Sequence, residues 1–329
     1  MPRALLLPAL LLLAPCPAPA QTNAPPASPR GVFRYDTRGQ WFKGNTHLHS
    51  TRSDGGMDFP EIARKYAGAG YRFLFRTDHW VASRVEEDPA EYPLLWLDGV
   101  ELDGSVGNDG YHVVCLGTFT GLERKMGLAA ALEAVRAQRG ITILAHPFWL
   151  GNSLDSAVRG KFDGVEVYNH VCHWLNGKDD GRPWWDAMLY LGAPATLAVA
   201  SDDAHLKPEH PGWNGGWIVV NAPELTRPAI MDAIRRGNFY ASCGPDFLSL
   251  EREGNSVVIK TSPVRFVRLA THGGAGKRAG NFEGELVTSA RFEVPASWPF
   301  AYLEIEDAQG RRAWSNTLFV PEAAAKPAP

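Results

Sequence analysis

Trp41-Phe42-Lys43-Gly44-Asn45-Thr46-His47-Leu48-His49-Ser50 reads as a strand that ends in two alternating histidines. Side chains at i and i+2 of an extended segment point to the same side. His47 and His49 therefore address one point, although a pair of core or surface histidines would look the same in isolation. Working outward, Asp54 follows in Ser53-Asp54-Gly55. Met57-Asp58-Phe59-Pro60 then opens a helix, with Asp58 as N-cap and Pro60 in the first turn. The helix runs to Ala69 and stops at Gly70. Tyr71 to Arg76 is an apolar strand that delivers Thr77-Asp78-His79 at its end. A strand, a helix and a second strand within about thirty-five residues make a unit of βαβ size.

The alternation continues down the chain. Leu94–Glu101, Tyr111–Gly117, Ile141–Ala145, Phe162–Tyr168, Ala195–Ala200 and Trp217–Asn221 read as strands. Gly127–Arg139, Pro183–Leu191 and Thr226–Arg236 read as helices. Repeated apolar strands with intervening helices predict a parallel α/β barrel, whose chemistry collects at the carboxyl ends of the strands. Polar residues fall mostly at those ends: Glu101, His146 before Pro147, and Ser201-Asp202-Asp203-Ala204-His205. From Asp246 the pattern changes to short alternating strands separated by turns such as Gly273-Gly274 and Gln309-Gly310. This predicts a small β-sandwich over residues 246–320, after a barrel over 31–245. His272 stands alone there as a turn histidine, and residues 321–329 read as a disordered tail.

The chain has 329 residues, a net charge of −3 and an ordinary apolar share of 45%, which fits one large barrel plus a small module. So balanced a charge argues against bulk binding to nucleic acid, which needs a basic surface. Residues 1–20 read as a secretory signal: Arg3, an apolar run from Ala4 to Ala14, and Ala18-Pro19-Ala20 as a cleavage site. The run is too short to span a bilayer. Cys16 preceded by Pro15 fits lipidation poorly, so export with cleavage is the expectation. Residues 21–30 read as a disordered leader. The remaining cysteines, Cys115, Cys172 and Cys243, form no metal or disulfide pattern, and Cys115 reads as a buried small hydrophobe.

His47, His49, Asp54, His79, Glu101, His112, His146, Asp203 and His205 are nine candidate metal ligands, and they include six of the ten histidines. Imidazole and carboxylate without thiolate suit zinc, manganese or iron. Nine donors are too many for one four-coordinate ion and suit two or three divalent ions that share a carboxylate. Such clusters activate a water and polarise a phosphoryl or carbonyl oxygen, so no Ser or Cys nucleophile is needed. Neither a G-x-S-x-G elbow nor a phosphate-binding glycine loop is present. Asp78 and Asp202, each beside a candidate ligand, point the other way along a strand and read as structural. Glu166 reads as an orienting partner for a ligand histidine. Arg52, His170, His173 and Lys178 read either as solvated loop residues or as contacts to an anionic substrate group. Arg76 lies on an otherwise apolar strand and needs polar company. Trp80, Trp149, Trp174, Trp184, Trp185, Trp213 and Trp217 fall near these motifs, as core packing or as an aromatic rim.

The ordered series His47-Leu48-His49-Ser50, Ser53-Asp54-Gly55, Thr77-Asp78-His79, Gly99-Val100-Glu101, Ala145-His146-Pro147 and Asp203-Ala204-His205 resembles the PHP (polymerase and histidinol phosphatase) superfamily. The resemblance implies a distorted (β/α)7 TIM-like barrel with a trinuclear metal site. It implies a first ion on His47, His49, Glu101 and Asp203, and a second on Glu101, His112 and His146. A third ion would rest on Asp54, His79 and His205; the superfamily often has histidine where Asp54 stands. Val165-Glu166-Val167-Tyr168-Asn169, the Ala200–His205 run and Arg236–Pro245 are closest to its exported carbaryl-hydrolase-like branch. Glu101, Asp203 and His205 are then expected to act in catalysis through a metal-bound hydroxide. The expected activity is hydrolysis of a small phosphate monoester or diester. The same site acting on a carboxylic ester or carbamate is the alternative, and a non-enzymatic exported binding protein is a third reading. The expected partner is a small anionic molecule, with neither duplex nucleic acid nor a stable membrane insertion, and the expected location is the periplasm or outside.

Overall fold

The computed structural model describes residues 31–88 and 90–322. The signal segment, the leader and residues 323–329 of the tail lie outside the described residues. The strands are β1 (Val32–Phe33), β2 (Gln40–Asn45), β3 (Phe73–Arg76), β4 (Leu95–Val106), β5 (Asp109–Leu116), β6 (Ile141–Leu144), β7 (Gly164–Asn169), β8 (Leu197–Ser201), β9 (Trp217–Ala222) and β10 (Phe239–Ser242). They continue as β11 (Phe247–Glu253), β12 (Ser256–Val264), β13 (Phe266–Ala270), β14 (Gly276–Ala279), β15 (Val287–Glu293), β16 (Tyr302–Glu306), β17 (Arg312–Ser315) and β18 (Phe319–Val320). The helices are α1 (Phe59–Gly68), α2 (Leu128–Ala137), α3 (Pro147–Leu150), α4 (Leu154–Gly160), α5 (His170–Asn176), α6 (Arg182–Tyr190) and α7 (Arg227–Arg236).

One mixed sheet organises the fold, in the order β14-β13-β16-β17-β10-β9-β2-β3-β4-β5-β6-β7-β8. β2, β3 and β4 are mutually parallel, as are β6, β7 and β8, but β5 runs antiparallel to both neighbours and β9 runs antiparallel to β2. The sheet thus departs from the all-parallel barrel expected of the strand–helix alternation, and it is open. No strand ladder joins β8 to β9 among the described residues. The gap is bridged beyond the strand ends, where Leu48 pairs with Ala204 and the Asp203 amide donates to His47 O at 3.0 Å.

Local chemistry explains the elements. Asp58 caps α1, accepting from the Glu61 amide at 3.0 Å, and the helix buries Phe59, Ile62, Ala63 and Tyr66. Gly44 leaves room for the Phe73 ring, which would stand 2.2 Å from a Cβ at that position. Residues 170–176 are the main departure among the helices. Instead of a solvated loop they form α5, capped by Asn169, which accepts from the Cys172 amide, and ended by Gly177 at φ 72°.

The strands after residue 246 form two facing layers. β11-β12-β15 make a separate sheet that packs on β13 and β16 through Phe247, Leu250, Val257, Ile259, Val267, Leu269, Leu303 and Ile305. The second layer is not detached from the first part of the chain. β17 pairs with β10 (Ala241 opposite Trp314), so one sheet runs from the ligand-bearing strands into the C-terminal layer.

Candidate metal centre

All nine candidate ligands converge at one end of the sheet. The antiparallel course of β5 explains why His112 joins from the start of a strand rather than from its end. Its register places it opposite Asp103 of β4, at the edge where the parallel strands finish. His47 and His49 lie just past β2. Asn45 Oδ1 accepts from the His47 amide, and Thr77 Oγ1 accepts from the Leu48 amide, each at 3.0 Å. Two ligands hold a left-handed backbone, His146 at φ 30° and Asp203 at φ 54°. Such conformations are costly for non-glycine residues and cluster where a side chain must be aimed.

Glu101 is the hub. Its Oε2 lies 3.1 Å from His47 Nε2, 3.2 Å from His49 Nε2 and 3.2 Å from His79 Nε2. Its Oε1 lies 2.9 Å from His112 Nδ1 and 3.6 Å from His146 Nε2. Asp203 Oδ1 stands 3.2 Å from His47 Nε2 and 3.1 Å from His49 Nε2. Glu101 is 1% exposed, yet its Oε2 makes no well-directed hydrogen bond. A buried carboxylate oxygen left in that state is costly. The surrounding nitrogens approach it without forming a hydrogen bond, and the donor atoms of each set lie within 4.8 Å of one another, a spacing that could hold an ion.

The donor atoms form overlapping sets: His47, His49 and Asp203; His49, His79 and Glu101; His49, Asp54 and His205; Glu101, His112 and His146. All are imidazole nitrogen or carboxylate oxygen, a combination that fits divalent first-row metals. Asp54 sits 3.1 Å from His205 Nε2, and its side chain is 46% exposed. His79 groups with His49 and Glu101 rather than with Asp54 and His205.

Burial and charge oppose each other here. Burial alone would lower the pKa of His47, but Asp203, Glu101 and Glu166 raise it well above the usual histidine value. His49 is raised to about 9 against the same burial cost, by Asp203 and Glu101. Glu101 is held well below the usual carboxylate range although burial pushes it up, chiefly by His47 and His112. The cluster binds positive charge tightly, as protons or as metal.

A surrounding layer fixes the donors. Glu166 Oε1 lies 2.8 Å from His47 Nδ1 and accepts from Ser201 Oγ at 2.6 Å. Its Oε2 accepts from the His146 amide at 2.9 Å and from Asn169 Nδ2 at 2.8 Å. Glu166 therefore sets the ring orientation of His47, as expected of it. Asp78 ties down the Ser50–Ser53 loop by accepting from the Ser50 amide and the Ser50 and Ser53 hydroxyls. Asp202 accepts from Asn45, Tyr66 and the Gly215 and Gly216 amides. Both are structural anchors.

Asp103 is a partner that sequence reasoning missed. It stands 3.0 Å from His79 Nδ1 and receives both terminal nitrogens of Arg124. Its signal was the Glu101-x-Asp103 alternation on β4.

All the donors except the fully buried His47 and His49 line a cavity of about 220 Å3 that also includes Trp149, Leu175, Lys207 and His210. Lys207 and His210 were not anticipated. They are joined by a tight turn in which each amide donates to the other's carbonyl. The anticipated substrate contacts lie elsewhere: His170 and His173 line a separate cavity, Lys178 sits 5.9 Å over the Phe148 ring, and Arg52 is exposed. Arg76 is buried, 3.3 Å from Asp88 and stacked near Phe59 and Trp96.

No family model matches the chain, and no curated protein matches it. Nine chains of solved structures match, among them the three that follow. One is a two-domain protein from Bacteroides vulgatus ATCC 8482 described as containing a predicted PHP-like metal-dependent phosphoesterase, with 14% identity, 93% of this chain and 97% of that chain covered, and a TM-score of 0.43. Another, from Bifidobacterium adolescentis ATCC 15703, is described as a metal-dependent phosphoesterase, with 13% identity, 59% and 96% coverage and a TM-score of 0.40. The third is an amidohydrolase from Chromobacterium violaceum with bound sulfate and no metal, with 21% identity, 52% and 57% coverage and a TM-score of 0.22. All three scores lie below 0.5, and the functional reading rests on the site's own geometry.

Proposed function

We propose that the protein is a metal-dependent phosphoesterase of PHP type, acting on a small phosphate monoester or diester and drawn from the exported carbaryl-hydrolase-like branch. The observation that carries this is the buried Glu101 carboxylate, shared by two donor sets that involve four histidines and with an Oε2 that no hydrogen bond satisfies. Two or three zinc, manganese or iron ions, when bound, would supply Lewis-acid polarisation and an activated water. His47, His49, Glu101 and Asp203 would hold one, Glu101, His112 and His146 a second, and His49, Asp54 and His205 a third.

The chain's own residues do the rest. Glu166 and Asp103 fix the orientation of His47 and His79. Lys207 places an ammonium at the cavity wall, where it attracts an anionic ester. Trp149, with its edge toward the His112 and His146 rings, closes one side against water.

A second reading keeps the site and changes the bond. Trp149 and Leu175, about 40% exposed beside the donors, favour an apolar leaving group, as in an aryl ester or carbamate. One experiment separates the two. The purified protein is analysed for metal, loaded with manganese or zinc, and offered p-nitrophenyl phosphate and p-nitrophenyl acetate side by side. Turnover of the phosphate ester supports the first reading; turnover of the acetate alone replaces it with the second. Less than one ion per chain after loading overturns both.

Export is part of the proposal. It rests on the Arg3, Ala4–Ala14 and Ala18-Pro19-Ala20 pattern, and N-terminal sequencing of the mature protein should read from Gln21.

A further inference from the structure

Helix α5 is a wall between two cavities. Val171, Cys172 and Leu175 face the donor cluster, whereas His170 and His173 face a second space of about 610 Å3. That space lies where the end of β7, the Asn214-Gly215 segment and the turn between β16 and β17 meet, so both parts of the chain build it. Its volume falls within the range of small-molecule sites, which favour such junctions. Nothing in the proposed hydrolysis uses it.

Its guanidiniums are each paired with a carboxylate. Arg182 commits Nε and Nη2 to Asp180 and Nη1 to Glu304. Arg311 Nε donates to Asp307 at 2.7 Å, and Arg312 Nε lies 3.3 Å from Glu306. His173 Nδ1 lies 3.2 Å from Asp179. Each guanidinium already has a carboxylate, so a free anion meets no unpaired guanidinium, while Asp179, whose partner is the His173 ring, remains able to accept from a ligand.

What remains is hydrogen-bonding capacity beside flat rings. The terminal nitrogens of Arg311 and Arg312 make no hydrogen bond among the described residues. Asp179 keeps a second carboxylate oxygen. His170 Nδ1 is engaged by the Tyr168 hydroxyl at 3.1 Å, which leaves Nε2 for a ligand. Burial lowers the His170 pKa. The rings of Tyr168, His170 and His173 lie near one another, with His170 and His173 only 19° from parallel, and Trp217 adds a fourth. Gly215 packs so closely on His170 that a Cβ there would stand 2.0 Å from Nδ1, so the backbone itself holds this ring in place.

We propose that this second cavity binds a neutral polyhydroxylated molecule, a mono- or disaccharide. Each sugar hydroxyl both donates and accepts, which matches a wall of guanidinium ends, carboxylate and imidazole. The C–H face of a sugar ring packs on aromatic faces. The site is separate from the metal centre and has no need of it.

The test is isothermal titration of the full mature chain with glucose, galactose, maltose, cellobiose and lactose. At least one is expected to bind saturably, with unchanged affinity in Glu101→Gln, where hydrolysis is lost. Arg311→Ala and His173→Ala change exposed side chains, and each should weaken binding by about tenfold, the worth of one charge-assisted hydrogen bond. Both variants should keep wild-type turnover of p-nitrophenyl phosphate and the wild-type circular dichroism spectrum. Absence of saturable binding for all five sugars overturns the proposal, and so does binding that Glu101→Gln abolishes or that Arg311→Ala and His173→Ala leave unchanged. Binding does not depend on turnover, so a failed phosphoesterase assay leaves this outcome readable.

Discussion

The two cavities on either side of α5 handle charge in opposite ways. In the metal centre, carboxylates face imidazoles, whose charge comes and goes with a proton or an ion. In the second cavity, carboxylates face guanidiniums, whose charge is permanent. The first region is incomplete in itself: Glu101 is buried with an oxygen that no protein group satisfies. The second is complete, with each arginine paired to an acid. A region built to take up positive charge is left open to it, whereas one built to recognise hydrogen-bonding shape is closed electrically first.

That contrast fails most sharply if Glu101→Gln leaves the enzyme intact. The substitution should cost about 10³-fold or more in turnover and reduce bound metal, read by elemental analysis and initial rates. Next in size is Glu166→Gln. It removes the group that orients His47, and metal affinity should fall by about 10- to 100-fold while the second cavity is untouched. Asp103→Asn tests the corresponding role beneath His79 and should fall at the lower end of that range.

Acidity sharpens the comparison further. The raised pKa of His49 means that its protonated form adds stability to the metal-free fold. That contribution is fully present below the ordinary histidine value near 6.5 and is lost as pH rises through about 9. Metal must displace the same protons, so its affinity should rise across this window. Melting curves of chelator-treated and metal-loaded protein should therefore diverge as pH increases from 6.5 to 9. Smallest is Lys207→Ala: KM for p-nitrophenyl phosphate should rise by about tenfold, with kcat little changed.

The metal centre was the legible half of the molecule. Its donors sit at strand ends in short, ordered motifs, and side-chain alternation put His47 with His49 and kept Asp78 and Asp202 out. Asp103 was equally readable by alternation, yet an acid on a strand says nothing until a histidine from another element meets it. Lys207 and His210 carry no periodic signal, because a tight turn brings them in. α5 was hidden by its two histidines and the Lys178 that follows it, which look like a solvated loop, although Asn169 and Gly177 mark its two ends. Strand direction was the least legible feature. Nothing in Tyr111–Leu116 says antiparallel; that follows only from the turn near Gly107 that returns the chain beside β4. The second cavity could not be read at all, since it exists only where β7, the Asn214-Gly215 segment and the β16–β17 turn meet.

The pairing of β17 with β10 has a consequence for anyone trimming the protein. A chain ended near residue 245 would leave bare the edge of the buried strand β10 that Tyr240–Ser242 present to β17. Such a rim is a template for the next molecule to add to, and aggregation rather than a small active enzyme is the outcome it favours.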